Sequence, residues 1–160
     1  MRQIKEVHLR KLLLIYASQT GKTAAMAASV REGILRHGDE VELRFIEALN
    51  AGIDDLLWCE GLLIGTPENF GYMAGAVKDF FDRTYYPAQD KVAGLPYVIF
   101  VNAGNDGRGA VSAIERIAKG YGWRLVDDPM IVHGDVDASV RKDCADLGEA
   151  FAIGLVSGIY

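Results

Sequence analysis

The sequence predicts an α/β protein in which a five-stranded parallel sheet carries helices on both faces. Short apolar runs alternate along the chain with longer amphipathic stretches, the order that builds strand-helix-strand units joined by right-handed crossovers. The first run, Leu12 to Ala17, is apolar without interruption, which suits a strand buried on both faces rather than one with a wet side.

That first strand is followed, from Lys22 to His37, by an Ala-rich segment with Met26, Val30 and Ile34 at helical spacing and Gly38 as a stop. Val41, Leu43 and Phe45 alternate with Glu42 and Arg44 as in a half-exposed strand, and Ile53 to Cys59 reads as a short helix. Gly61 to Gly65 is a second buried run. From Met73 to Tyr85 a helix places Val77, Phe80 and Phe81 on one face and Lys78, Asp79 and Asp82 on others. Tyr97 to Val101 is a fourth strand, closed by Asn102-Ala103-Gly104. Ala110 to Tyr121 has helical pattern, Arg124 to Val132 is a strand interrupted at Asp127-Asp128-Pro129, and Ala138 to Leu155 is a final amphipathic helix. No linker, repeat or low-complexity stretch divides residues 1–160, so a single domain is expected.

Composition bounds the function. A chain of 160 residues with 50% hydrophobic and 9% aromatic side chains is neither disordered nor a disulfide scaffold. With 17 Lys+Arg against 22 Asp+Glu, net -5, there is no basic surplus to draw it to nucleic acid or anionic lipid. Cys59 and Cys144 have no CxxC spacing and no histidine pair nearby, so they read as apolar filler, and no metal site is expected. Leu12 to Ala17 is far shorter than the roughly 20 residues of a membrane-spanning helix, and Ser18-Gln19-Thr20-Gly21 offers no leader-cleavage pattern. A cytoplasmic protein is expected.

In open parallel sheets ligands bind outside the carboxyl ends of the strands, where strand order reverses. Three loops therefore hold the chemistry: Ser18 to Thr23, Thr66 to Met73, and Asn102 to Gly109. The first, Ser18-Gln19-Thr20-Gly21-Lys22-Thr23, puts three hydroxyls and a glycine at a helix start, a natural anion site; capping by Thr20 alone is the simpler alternative. Gly21-Lys22-Thr23 also matches the end of the triphosphate P-loop, but the required first glycine would fall at Tyr16, inside the strand. No G-x-G-x-x-G follows the first strand, so a dinucleotide fold of the Rossmann type is disfavoured. A single phosphate without metal fits best.

Ser18-Gln19-Thr20-Gly21-Lys22-Thr23 resembles the phosphate loop of flavodoxins, [ST]-x-T-G-x-T, at every fixed position. Gly65 to Gly75, Gly-Thr-Pro-Glu-Asn-Phe-Gly-Tyr-Met-Ala-Gly, resembles the second flavin loop of flavodoxin-like NAD(P)H-dependent flavin and quinone reductases. The resemblance spans most of the chain. It implies the flavodoxin-like strand order 2-1-3-4-5 with FMN at the switch point. It further implies that Ser18, Gln19, Thr20, Gly21, Lys22 and Thr23 hold the FMN phosphate, with Lys22 either adding charge there or facing solvent. Pro67, Glu68, Asn69, Phe70 and Gly71 would flank the isoalloxazine ring. Asn102, Ala103, Gly104, Asn105, Asp106 and Gly107 would offer backbone donors to its pyrimidine edge.

Electron-carrying flavodoxins sandwich the ring between aromatics and present a strongly acidic surface, whereas here the third loop has no aromatic residue and the charge is modest. The expected activity is therefore an FMN-dependent oxidoreductase moving hydride from NADPH or NADH to a quinone, flavin or similar small acceptor. The alternative is a flavodoxin-type electron carrier serving a redox protein. FMN carries the chemistry, so catalytic residues are few; Tyr72 and His133 are the candidates. Tyr85-Tyr86-Pro87 could wall a substrate pocket, in this chain or across a dimer interface, or simply pack. By analogy a homo-oligomer is expected.

Overall fold

In the computed structural model, which describes residues 8–160, the chain runs β1 (Arg10–Tyr16), α1 (Lys22–Leu35), β2 (Val41–Glu47), α2 (Ile53–Trp58), β3 (Gly61–Asn69), β4 (Tyr72–Met73), α3 (Gly75–Ala88), β5 (Pro96–Ala103), α4 (Arg108–Tyr121), β6 (Arg124–Leu125), β7 (Met130–His133) and α5 (Ala138–Val156). The sheet order is β2-β1-β3-β5-β6, with β7 also pairing β5, and these pairs are all parallel. β6 and β7 are two halves of one interrupted strand, and the break falls at the Asp127-Asp128-Pro129 segment. Counting them as one, and β4 as a side arm of β3, gives the expected flavodoxin-like order.

Alternation along the central strands decides which helices cover which face. Leu12 and Leu14 of β1, Leu63 of β3, and Val98 and Phe100 of β5 pack with Met26, Val30 and Ile34 of α1 and Phe151 and Leu155 of α5. Leu13, Ile15, Leu62, Ile64, Ile99 and Val101 face the other way, against Leu56 of α2, Val77, Phe80 and Phe81 of α3, and Ile114 and Ala118 of α4. Because both faces are covered, the central strands are apolar at nearly every position, which is why their sequence shows runs rather than alternation.

Two glycines in α1 and α5 set the closest helix contact. A Cβ on Gly33 would strike the Ala145 carbonyl, and one on Gly148 the Val30 carbonyl, so the two backbones meet where side chains are missing. At Gly65 a Cβ would strike the Phe100 ring, which lies beside it in the β3-β5 register. Cys59 and Cys144 are buried free thiols, and burial pushes them up to about 12 and about 11 respectively, so both stay protonated at neutral pH.

The structure departs from the sequence expectation after β3. That strand continues to Asn69 and returns antiparallel as β4, pairing Glu68 with Met73 and Asn69 with Tyr72. Phe70 and Gly71 form the two-residue turn with φ of 52° and 69°, so both central residues are left-handed as a primed hairpin turn requires. Met73 is therefore a buried strand residue, not the start of a helix, and α3 begins at Gly75.

Burial pushes the Glu60 carboxyl up, but the Arg10 guanidinium at 2.8 Å and the Lys11 N–H outweigh it, holding the group below the usual carboxylate range. A depressed carboxyl contributes stability above its unfolded pKa and loses it as pH falls through the folded value. Glu60→Gln is accordingly expected to lower Tm at pH 7, by an amount that shrinks as the pH falls below the ordinary carboxylate range and the folded-state carboxyl takes up its proton. Thermal melts across that pH range check this. Gly148→Ala is expected to cost about 2 kcal/mol and lower Tm by about 5 °C. Gly75→Ala, whose Cβ meets nothing within 4 Å, should leave Tm within about 2 °C of the parent.

Candidate functional site

β1, β3 and β5 lie side by side in parallel, with Tyr16 opposite Gly65 and Pro67 opposite Asn102. Their carboxyl ends therefore deliver the three expected loops to one edge, with strands about 4.8 Å apart. The order reverses at β1 and β3, since β2 lies outside β1 while β5 continues beyond β3.

The first loop, Ser18 to Thr23, is held by its own serine. Ser18 Oγ accepts hydrogen bonds from the N–H groups of Gly21 and Ala24, each at 3.2 Å, so the capping hydroxyl is Ser18 rather than Thr20. Gly21 adopts φ 96° at the N-cap of α1, a conformation that suits glycine alone. The N–H groups of Gln19, Thr20, Lys22 and Thr23, and the hydroxyls of Thr20 and Thr23, make no hydrogen bond among the described residues. Unpartnered amides at a helix start with no acidic residue in its first turn are the kind of donors that can bind an anion. Lys22 Nζ lies 3.4 Å from the exposed carboxylate of Asp135, which belongs to the loop after β7. This pairing has no sequence signal, because it arises only when the sheet closes.

Beside this loop, Tyr16 ends β1 against Phe45, with ring centroids 5.0 Å apart. Burial, then the nearby Glu47 carboxylate, raises its phenol above the ordinary value, so Tyr16 is neutral at physiological pH.

The second loop is the β3-β4 hairpin. Thr66 is fully buried and its Oγ1 accepts the Ala74 N–H at 2.9 Å, tying the return of the hairpin to its start. Sequence reasoning did not single out this threonine for that bond. Phe70, at the tip, is fully exposed, Tyr72 is 41% exposed, and Pro67 and Asn69 are half-buried. Glu68 turns toward α4 instead: its carboxylate accepts N–H groups of Gly107 at 3.3 Å, Gly109 at 3.1 Å and Ala110 at 3.4 Å.

The third loop is pinned at both ends. Asn102 Nδ2 donates to the Gly134 carbonyl at 2.9 Å, and Gly107, at φ 76°, leads into α4 with its N–H taken by Glu68. Ala103 is buried; Gly104, Asn105 and Asp106 are exposed, and their N–H groups have no partner among the described residues. His133, at the end of β7, is exposed close to this loop, where β7 pairs with Ala103. Tyr85 and Tyr86 do not join the loops. Both lie in the last turns of α3, lining a cleft of about 370 Å³ between α3 and α4 with Lys78, Asp82 and Arg116.

Among the described residues no helix is long and apolar enough to cross a membrane. The chain is 35% identical over 100 residues to a flavodoxin of Aquifex aeolicus (strain VF5), a match covering 62% of this chain and 53% of that one. It is 30% identical over 125 residues to NAD(P)H dehydrogenase (quinone) 3 of Rhizobium meliloti (strain 1021), covering 66% of this chain and 59% of that one. It thus spans between half and three-fifths of the length of these two relatives. Its fold is similar to that of a flavodoxin from the domain Archaea, with TM-score 0.79 at 21% identity over 91% of this chain and 98% of the other. The sequence pattern of the NADPH-dependent FMN reductases matches residues 10–126, the stretch that contains all three loops, and the chain belongs to that family.

Proposed function

We propose that this chain is an FMN-dependent oxidoreductase that moves hydride from NADPH or NADH through FMN to a quinone, free flavin or similar small acceptor. The observation that carries the reading is the first loop, whose unpartnered amides at Gln19, Thr20, Lys22 and Thr23 and free threonine hydroxyls match the donor demand of one terminal phosphate. A phosphate there is dianionic near neutral pH, and the open end of α1 meets it with positive potential and no carboxylate in its first turn. Lys22 supports the same field, although Asp135 competes for it.

FMN, when bound, supplies the hydride chemistry. The protein's part is to bind, orient and shield. Pro67, Asn69, Phe70 and Gly71 would flank the ring, and the N–H groups of Gly104, Asn105 and Asp106 would donate to its pyrimidine edge. Those donors favour negative charge where reduction places it. Asn102, tied to Gly134, positions that loop rather than donating to the ring from its side chain. Tyr72 and His133 are exposed at the edge and can deliver a proton to a reduced acceptor.

The third loop supplies no aromatic from Asn102 to Gly109, which leaves a face of the ring open to small reactants and favours the reductase. The flavodoxin among the relatives favours the second reading, an electron carrier serving a redox protein.

Thr20→Val with Thr23→Val is expected to raise the FMN Kd by about tenfold per hydroxyl lost, while the Tm of the apo protein changes by less than about 3 °C. Fluorescence titration with FMN measures the first and a melt the second; an unchanged Kd would refute the phosphate assignment. Anaerobic addition of NADPH, then NADH, to the FMN-loaded protein is expected to bleach the oxidised-flavin absorbance within seconds. A persistent spectrum would replace the reductase with the carrier.

A further inference from the structure

The amino ends of α1 and α4 face the same edge of the sheet and are treated in opposite ways. In α1 the first-turn amides of Lys22 and Thr23 are left open. In α4 the corresponding donors are closed by carboxylates: Asp106 Oδ1 takes the Arg108 N–H at 3.0 Å, and Glu68 takes those of Gly107, Gly109 and Ala110. Apart from the Asp106 bond, the α4 cap is not local. Gly107 has no side chain to offer, the first turn contains no acidic residue, and Arg108 there is of the unfavourable sign. By contrast α5 caps itself, with Asp137 accepting the Val140 N–H at 2.9 Å. For α4, three of the four capped amides are taken by Glu68, on a strand 39 to 42 residues earlier.

We propose that Glu68 is a positioning residue that clamps the second loop to the third and holds a negative charge at the flavin cradle, which makes bound FMN harder to reduce. This rests on the FMN reading above. The clamp is tight because α4 and the hairpin touch through backbone: a Cβ on Gly109 would strike the Gly71 carbonyl. Three N–H donors on one half-buried carboxylate fix the hairpin relative to the amides of Gly104 to Asp106, so the ring walls and the pyrimidine donors move as one body.

The charge acts separately from the clamp. Reduction puts negative charge on the pyrimidine edge of a flavin, and open amides at the start of α4, directly after the Gly104 to Asp106 donors, would stabilise that charge. Glu68 cancels the helix-end potential, and its own charge, partly withdrawn from water, is felt more strongly than one in solvent. Arg108 and Asp106, the other charged groups at this helix end, are both exposed and oppose each other. The protein thereby keeps its positive potential for the phosphate at α1 and withholds it from the ring at α4. Weaker binding of reduced than of oxidised FMN makes the bound reduced form a stronger electron donor to the acceptor.

Glu68→Gln keeps the volume and one accepting oxygen and removes the charge. The dissociation constants of oxidised FMN and of dithionite-reduced FMN are measured anaerobically for parent and variant, with amide hydrogen exchange of the apo proteins alongside. The variant is expected to favour reduced over oxidised FMN by about tenfold relative to the parent, a unit-charge effect at a partly buried site. Its Gly107, Gly109 and Ala110 amides are expected to exchange faster. Glu68→Asp, which keeps the charge, is expected to hold the ratio within about twofold of the parent. A merely structural role weakens both forms alike; an unchanged ratio in Glu68→Gln, or a Glu68→Asp ratio equal to that of Glu68→Gln, overturns the proposal. If Glu68→Gln fails to fold, the parent alone decides: reduced FMN is expected to bind more weakly than oxidised FMN, and equal or tighter binding of the reduced form overturns the proposal. A parent protein that takes up neither form of FMN instead refutes the cofactor reading itself.

Discussion

Parallel hydrogen bonding of β1 to β3 and of β3 to β5 places Tyr16 beside Gly65 and Pro67 beside Asn102, and every feature of the carboxyl edge follows from that register. A slip of one residue would turn Leu12, Leu14 and their neighbours to the wrong face and break both cores at once. Burial on two sides thus fixes the loops as firmly as it fixes the sheet. At Gly65, just below the second loop, there is room for the Phe100 ring but not for a Cβ.

On this fixed edge, backbone donors are the main chemical resource. Those of the first loop are organised by Ser18 and left open, those of α4 are consumed by Glu68 and Asp106, and those of Gly104 to Asp106 are open again. The pattern suits a ligand with a phosphate at one end and a hydrogen-bonding ring edge at the other. A protein of net charge -5 that bound its cofactor through long-range attraction would be working against its own field; local amide geometry avoids that difficulty.

Much of the fold was legible because its signals are local. Uninterrupted apolar runs marked β1, β3 and β5, the Met26-Val30-Ile34 spacing marked α1, and Asp127-Asp128-Pro129 marked the break in the last strand. The β4 arm was not legible, since Phe70-Gly71 lacks the Asn-Gly or Asp-Gly signature of a two-residue hairpin and Tyr72-Met73 is too short to show a period. At the edge, the three loops were identified in sequence, but the partners of individual side chains were not. Glu68 capping α4, Asn102 reaching Gly134 and Lys22 facing Asp135 are contacts across 39, 32 and 113 residues, and nothing local encodes them.

The central claim is that unpartnered amides at this edge, rather than the aromatic cleft between α3 and α4, receive the cofactor. Amide chemical shifts of the 15N-labelled protein during an FMN titration test it most directly. The account predicts the largest changes at Gln19, Thr20, Lys22 and Thr23, with further changes at Gly104, Asn105 and Asp106. Shifts confined to Lys78, Tyr85, Tyr86 and Arg116, with the first loop unmoved, would contradict it.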